Sequence, residues 1–455
     1  MSGFDVGAFI DDRKVTRLHI VIVVVCALIM IVDGFDIFMI GAIAPAIAAG
    51  FHHRPEDMTT VFLFQQIGIA IGCIIVGPVA DRYGRKSVLV VCSIGFGLLM
   101  VACALSTSLM ELAILRGLSG VFLSSVLPIA TTLMSEFAPK KSRATFFSIL
   151  MAGYGAGAAG GGLVAAFLID LYGWRSGFWL GGLLPLLCAP LLALFLPESL
   201  RFRVRRNALD PAIPQTLQSL SPSLILTGTE KFVGGEKEEE GKSTLFGVLA
   251  DGRSVATILI WLGFFLAMGN GAVLASWTTT FFKQMGGVPI QEFGKVLAIG
   301  SLAAAVGNLT VGFLLDTFRA RSVLIFCFLG YSISLVGLGF LPFGTFGLAF
   351  SLFGQYYFMN AGTSGIAILT SQYYPTEVRG TGMSWGIGAG RIGGIVGPLL
   401  GGLALTNHLT LEQTFLLIAL APLAVLVVML IFLHLTVRGP ATPIAVKLNP
   451  AQTRA

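Results

Sequence analysis

Runs of about twenty apolar residues recur along almost the whole chain, and no other feature constrains its fold as strongly. They fall near 18–46, 59–80, 87–105, 109–134, 145–170, 176–196, 253–283, 292–315, 320–341, 346–370, 382–404 and 413–436. A helix of that length crosses the hydrocarbon core of a bilayer while satisfying its own backbone hydrogen bonds. Charged residues make up 11% of the chain and mean hydropathy is +0.87, whereas a soluble domain carries about 25% charged residues. The pattern predicts an all-α polytopic membrane protein with twelve transmembrane helices. The first run far exceeds the ~7–15-residue core of a signal peptide, so it is expected to remain as the first span. The 57 glycines suit close helix approach in lipid. All six cysteines fall inside apolar runs without a CxxC pair, which reads as packing and not as disulfides or metal ligands.

The basic residues give the orientation. With the N-terminus in the cytoplasm, outside loops hold only Arg54, Arg175, Lys283 and Lys295 of the 29 Lys and Arg residues. Arg116 and Arg391 lie within spans, and the rest cluster inside. This asymmetry predicts that both termini are cytoplasmic. The net charge of +6 is therefore a topology signal, aided by anionic lipid headgroups, and not a nucleic-acid footprint.

Residues 197–252 break the apolar pattern with a basic stretch (Arg201 to Arg206) and an acidic one (Glu236 to Lys242). The expected organisation is an N-terminal segment 1–17, a six-helix bundle 18–196, a linker 197–252, a second bundle 253–436 and a tail 437–455. Gly241, Lys242 and Ser243 imitate a phosphate loop, but Glu236 stands where that motif needs glycine. The bundles repeat: GPVADRYGRK (Gly77 to Lys86) corresponds to GFLLDTFRAR (Gly312 to Arg321), and PKKSR (Pro139 to Arg143) to PTEVR (Pro375 to Arg379). Parallel six-helix repeats are a transporter architecture.

Gly77, Asp81, Arg82, Gly84, Arg85 and Lys86 resemble the G-x-x-x-D-R-x-G-R-K loop of the major facilitator superfamily, with a degenerate copy at Gly312 to Arg321. GGIVGPLLGG (Gly393 to Gly402) and LPES (Leu196 to Ser199) resemble further superfamily motifs. A narrower match, Asp33-Gly34-Phe35-Asp36 followed by Gly41 and Pro45, resembles the bacterial aromatic acid:proton symporters. That resemblance implies a 6+6 fold, no cofactor, a proton as coupling ion, and aromatic carboxylates such as 4-hydroxybenzoate or protocatechuate as substrates. It implies functional roles for Arg116 and Arg391. It also implies a conformational-switch set of Gly77, Asp81, Arg85, Glu136, Arg143, Asp316 and Arg379.

Elementary electrostatics supports the charged candidates independently. An ionisable side chain at the bilayer centre costs roughly 2.5–3.5 kcal/mol on insertion scales, so idle charges are disfavoured there. Asp33 and Asp36 share one helix face, and two like charges on that face resist simultaneous ionisation. Asp33 or Asp36 is thus a candidate proton carrier; the bland alternative is a structural pair held by backbone donors or by Arg116. Counting from Leu18 puts Asp33 beyond the midplane of its span. Arg116 and Arg391 are permanently charged forks suited to a carboxylate. The bland alternatives are an ion pair for Arg116 and snorkelling to the nearby span end for Arg391. Trp277, Tyr356, Tyr357, Asn360 and Asn270 are the uncharged substrate-contact candidates, with the aromatics able to stack on a ring. Gln65, Gln66, Asn308 and Gln355 also lie in spans. The five histidines all lie at span ends or in loops, so a histidine proton carrier is not expected.

The expected function is proton-coupled uptake of an aromatic carboxylate by a monomeric transporter in a bacterial inner membrane. The alternatives are import of a non-aromatic organic acid such as muconate, and export on the same fold. A non-transporting sensor is disfavoured by the plain linker and tail. An enzyme is disfavoured because the spans carry no nucleophile–base pair, metal cluster or nucleotide loop.

Overall fold

The computed structural model describes residues 4–221, 224, 232–233, 245–250 and 252–438. The acidic run, the Gly241 to Ser243 stretch and the tail beyond Arg438 lie outside the described residues. A short strand and helix come first: β1 (Phe4–Asp5) and α1 (Val6–Asp11). The long rods of the first half are α2 (Arg17–Gly50), α3 (Met58–Tyr83), α4 (Arg85–Leu105), α5 (Leu109–Leu123) with α6 (Val126–Phe137), α7 (Arg143–Leu163) with α8 (Ile169–Tyr172), and α9 (Arg175–Phe195). Then come α10 (Leu200–Arg206), α11 (Ala212–Leu220), β2 (Phe232–Val233) and α12 (Leu245–Leu249). The second half holds α13 (Ser254–Gln284), α14 (Ile290–Ser301) with α15 (Ala303–Thr317), α16 (Ala320–Phe340), α17 (Phe346–Tyr373), α18 (Thr376–Thr406) and α19 (Leu411–Arg438).

Eleven of these rods are long and apolar enough to cross a membrane. The twelfth, α17, has the length at 28 residues, but Gln355, Tyr356, Tyr357 and Asn360 in its middle lower its hydropathy. Rod lengths differ: α4, α9 and α16 have 21 residues each, while α2 has 34.

Local chemistry fixes the ends and joints. Thr16 starts α2: its backbone N–H donates to His19 Nδ1 at 3.0 Å, and its hydroxyl lies 2.7 Å from the same nitrogen. Between α5 and α6, the Ser124 and Ser125 hydroxyls donate back to the carbonyls of Val121 and Phe122, at 2.8 and 2.7 Å. Such back-bonding bends a helix without ending it. α7 joins α8 through one wide π-turn, Val164–Leu168. Gly84 both ends α3 and begins α4 at φ +99°, a conformation that favours glycine.

Two features depart from the expected all-α plan with a plain linker. β1 and β2 pair in parallel, Phe4 with Phe232 and Asp5 with Val233, joining the N-terminal segment to the linker. The linker also carries short helices; α11 buries Ile213, Leu217 and Leu220 at helical spacing, a pattern too short to stand out in a polar stretch.

The chain packs as two compact units. The first contains Met1–Lys237, Leu274–Ala305 and Pro398–Leu409; the second contains Glu238–Val273, Val306–Gly397 and Thr410–Ala455. In the first unit α2 lies along α7, α3 along α5, and α4 along α9. A Cβ at Gly34 would run into the Tyr154 carbonyl oxygen, and one at Gly157 into the Ile31 carbonyl, so bare glycine sets the α2–α7 approach. In the same unit, the Ala275 carbonyl abuts Gly41 and the α14 backbone at Gly294 and Ala298 abuts Gly162. In the second unit α16 packs on α17 and α19, and Gly393 and Gly397 of α18 seat against the carbonyls of Phe265 and Gly269 on α13.

Candidate functional site

The middle of α2 carries the most unusual chemistry in the first unit. Asp33 is the seventeenth residue of this 34-residue helix, at the centre of its length. The helix runs past Pro45 to Gly50, which the apolar pattern alone did not reveal. Asp36 follows one turn later, and both aspartates are buried, Asp36 completely. Arg116 of α5, also fully buried, reaches Asp36 with both terminal nitrogens: Nη1 to Oδ1 at 2.6 Å and Nη2 to Oδ2 at 2.8 Å. This is the bidentate fork that arginine makes with carboxylate.

Three neighbours complete the pocket around the fork. Met100 Sδ lies 2.8 Å from Nη1, Gln65 Nε2 approaches Asp36 Oδ2 at 3.5 Å, and the Phe178 ring centre is 5.9 Å from the guanidinium carbon. Arg116 Nε is buried without a hydrogen-bond partner. Chemically, the fork holds only while Asp36 is ionised. A proton on Asp36 removes one acceptor and the charge, and leaves a buried guanidinium in need of another anion.

The second unit presents mostly neutral groups in the middle of its long helices. Arg391 is the sixteenth of the 31 residues of α18, a central position. The helix begins six residues before the expected span start at 382, which puts about 22 Å of helix between Arg391 and that end at ~1.5 Å per residue. Its Nε is buried without a partner, as is Gln355 Oε1 on α17. Asn270 of α13 donates to Tyr331 OH at 3.1 Å. Asn360 Nδ2 donates to the Tyr356 carbonyl at 2.9 Å, and Tyr357 OH lies 2.9 Å from the Thr310 hydroxyl. Tyr356 is buried; Tyr357 and Asn360 are half-buried.

Trp277 belongs to the first unit and is fully buried. Its Nε1 donates to the Pro398 carbonyl at 2.8 Å, Phe62 meets it edge-on at 5.1 Å between ring centres, and Phe281 stacks beside it. With Gly401 against the same ring, this arrangement leaves the indole no open face for a ligand.

The switch candidates divide into those that meet and those that do not. Arg85 is in contact with Glu136, and both engage Ser199: its hydroxyl donates to Glu136 Oε2 at 2.5 Å and accepts from Arg85 Nη1 at 3.4 Å. Glu198 Oε1 accepts the backbone N–H groups of Lys86 and Ser199, at 3.0 and 2.9 Å, at the N-terminus of α4. Its carboxylate also fills the space a side chain at Gly84 would need. Asp81 contributes its carbonyl, which accepts from Arg205 at 3.1 Å. Arg143 instead pairs with Asp11 of α1 at 2.7 Å. Gly77 faces open space, Asp316 is exposed, and Arg379 donates to the Tyr374 carbonyl at 3.3 Å. Sequence reasoning missed Glu198, Ser199, Met100 and Tyr331 as participants. The LPES motif held the only signal, for Glu198 and Ser199.

The sequence profile of the Major Facilitator Superfamily matches residues 26–288 and 259–455. The chain belongs to the major facilitator superfamily. Among curated superfamily relatives, it is 33% identical to the gallate transporter of Pseudomonas putida over 96% of this chain and 97% of that one. It is 33% identical to the 4-hydroxybenzoate transporter PcaK of Acinetobacter baylyi, over 90% of this chain and 89% of the relative. Among solved structures, the D-xylose-proton symporter superposes with a TM-score of 0.68 at 19% identity, covering 90% and 97% of the two chains. The twelve-helix superfamily fold is therefore shared, and these superfamily relatives are transporters, not enzymes.

Proposed function

We propose that this protein is a proton-coupled importer of aromatic carboxylates. It works by alternating access as a monomer in a bacterial inner membrane, with both termini in the cytoplasm. Two six-helix bundles, 18–196 and 253–436, flank the linker 197–252. The observation that carries the reading is the buried fork between Arg116 and Asp36 in a chain one-third identical, over nearly its whole length, to a gallate transporter.

The fork supplies the coupling. Protonation of Asp36 releases the guanidinium, which then accepts a carboxylate anion, so proton and substrate enter together. Asp33, one turn away, is the second group able to take a proton. Arg391 offers a second cation in the other repeat, and Asn270, Tyr356, Tyr357 and Asn360 are the polar and ring contacts on that side. Trp277 serves in the packing around Gly41 and Ala275. Arg85, Glu136 and Ser199 form the switch cluster, with Asp81 and Gly77 on its loop; Arg143 in the same repeat and Asp316 and Arg379 in the second complete the set.

The test is uptake of radiolabelled gallate and 4-hydroxybenzoate into proteoliposomes under an imposed inward proton gradient. Accumulation is expected in the native protein and lost in Asp36→Asn, which should still exchange substrate across the membrane without a gradient. A native protein that folds, holds a gradient and accumulates neither acid sinks the substrate assignment.

A further inference from the structure

At the charged end of the first unit, a cavity of about 450 Å³ lies where the start of α4 meets α10 and the turn after it. Tyr83, Lys86, Ser87, Phe202, Arg206 and Asn207 line it, with Glu198, Arg203 and Asp210. The two carboxylates already have hydrogen-bond partners: Glu198 the amides of Lys86 and Ser199, at 3.0 and 2.9 Å, and Asp210 the amide of Ala212 and Arg203, both at 2.9 Å. The Lys86 ammonium and Arg206 guanidinium make no hydrogen bond or ion pair with any described residue. With three basic side chains, Lys86, Arg203 and Arg206, against two carboxylates, the cavity lining carries a net positive charge together with hydroxyl and amide donors. Those are the requirements of a phosphate group.

A second observation indicates what carries the phosphate. Ser87 continues along α4 into Val91, Ile94 and Leu98, all on one exposed face at helical spacing, with Val91 62% exposed. From Ser87 to Leu98 is about 16 Å at ~1.5 Å per residue, close to half of a ~30 Å hydrocarbon core. An apolar stripe one leaflet deep thus begins at the rim of a cationic cavity.

We propose that this cavity binds the phosphate of an anionic glycerophospholipid, with an acyl chain laid along α4 from Ser87 to Leu98. The inference needs only the membrane-spanning fold and holds whatever the transported substrate is. A free phosphate would satisfy the cavity but leave the stripe unused.

The experiment is native mass spectrometry of the full chain in detergent, titrated with phosphatidylglycerol, phosphatidylcholine or inorganic phosphate. The variants are Arg206→Glu, Arg206→Gln and, as an equal charge reversal in the other unit, Arg319→Glu. Arg206 and Arg319 are both exposed, so neither change threatens folding. Phosphatidylglycerol should be retained over phosphatidylcholine. Arg206→Glu should weaken it about tenfold, Arg206→Gln less, and Arg319→Glu not at all. Inorganic phosphate should not displace the lipid. Equal retention of the two lipids, or equal weakening by Arg206→Glu and Arg319→Glu, overturns the site. Displacement by inorganic phosphate overturns the lipid and leaves a site for free phosphate.

Discussion

Asp36 and Arg116 in the first unit close on each other through both terminal nitrogens, with only Arg116 Nε left unpartnered, whereas Arg391 in the second unit makes no such fork and keeps a buried Nε without a hydrogen-bond partner, as Gln355 keeps its Oε1. The two units thus manage buried polarity differently. The first unit pairs a buried cation with a buried carboxylate, and under the proposed coupling that pair opens when a proton arrives. The second unit holds neutral donors and acceptors, Asn270 with Tyr331 and Asn360 with Tyr356, and carries Arg391 midway along α18. A locked ion pair suits a switch; a set of partly satisfied polar groups suits recognition of something that completes them.

Removing the cation of the locked pair should have the largest effect. Arg116→Leu strands the Asp36 carboxylate in a dry site, and the expected cost is about 3–5 kcal/mol, read as a fall in melting temperature of the purified protein. The double change Asp36→Asn with Arg116→Gln should recover most of that stability while uptake stays abolished. If Arg116→Leu melts like the native protein, the fork is not a closed element that depends on its cation and the contrast between the halves fails.

Arg391→Gln tests the other side. It should leave the melting temperature within about 0.5 kcal/mol, as for a substitution that breaks no existing bond. Substrate affinity measured by calorimetry should fall at least tenfold, about 1.4 kcal/mol. A large stability loss without a change in affinity would make Arg391 a structural partner and erase the difference.

Twelve rods were legible because lipid demands long apolar helices, and Asp36 and Arg116 were legible because lipid makes charge costly. Their pairing was legible only as one alternative, since residues 80 positions apart in sequence carry no periodic signal of which aspartate Arg116 meets. Nor was the centring of Asp33 and Arg391: helix ends at Gly50 and Thr376 depend on caps and packing beyond the apolar window. The role of Glu198 was hidden for another reason. A carboxylate beside a basic loop looks like surface charge until the N-terminus of α4 turns towards it. Trp277 shows the opposite difficulty, because a large aromatic in a span reads equally as ligand contact or as packing until its faces are seen.

Gly84→Ala probes that hidden contact. At φ +99° the alanine is strained, and its Cβ would displace the Glu198 carboxylate, so a loss of about 1–3 kcal/mol is expected. Glu198→Gln in the same background should lose little more, because the contact is already gone. Full additivity of the two would show that Glu198 does not depend on the turn.

The smallest effect belongs to Asp210, outside the spans. The Ala212 amide, with Arg203 beside it, holds this carboxyl below its ordinary value. Stability gained this way is present above the ordinary carboxylate range near ~4 and is lost as pH falls through the lowered value. The group is well solvated, so Asp210→Asn should cost under about 1 kcal/mol at neutral pH and nothing at strongly acid pH. Thermal melting across pH reads both limits.

The unequal rods set a mechanical limit on the surroundings. The 21-residue helices α4, α9 and α16 reach about 31 Å at ~1.5 Å per residue, while the 34-residue α2 reaches about 51 Å. A long helix meets a thin bilayer by leaning over or by standing proud of the surface, but a short one cannot lengthen to meet a thick bilayer. Hydrophobic mismatch is therefore one-sided here. Lipids with longer acyl chains should strain the three short rods and slow the protein, whereas thinner bilayers are absorbed by tilt.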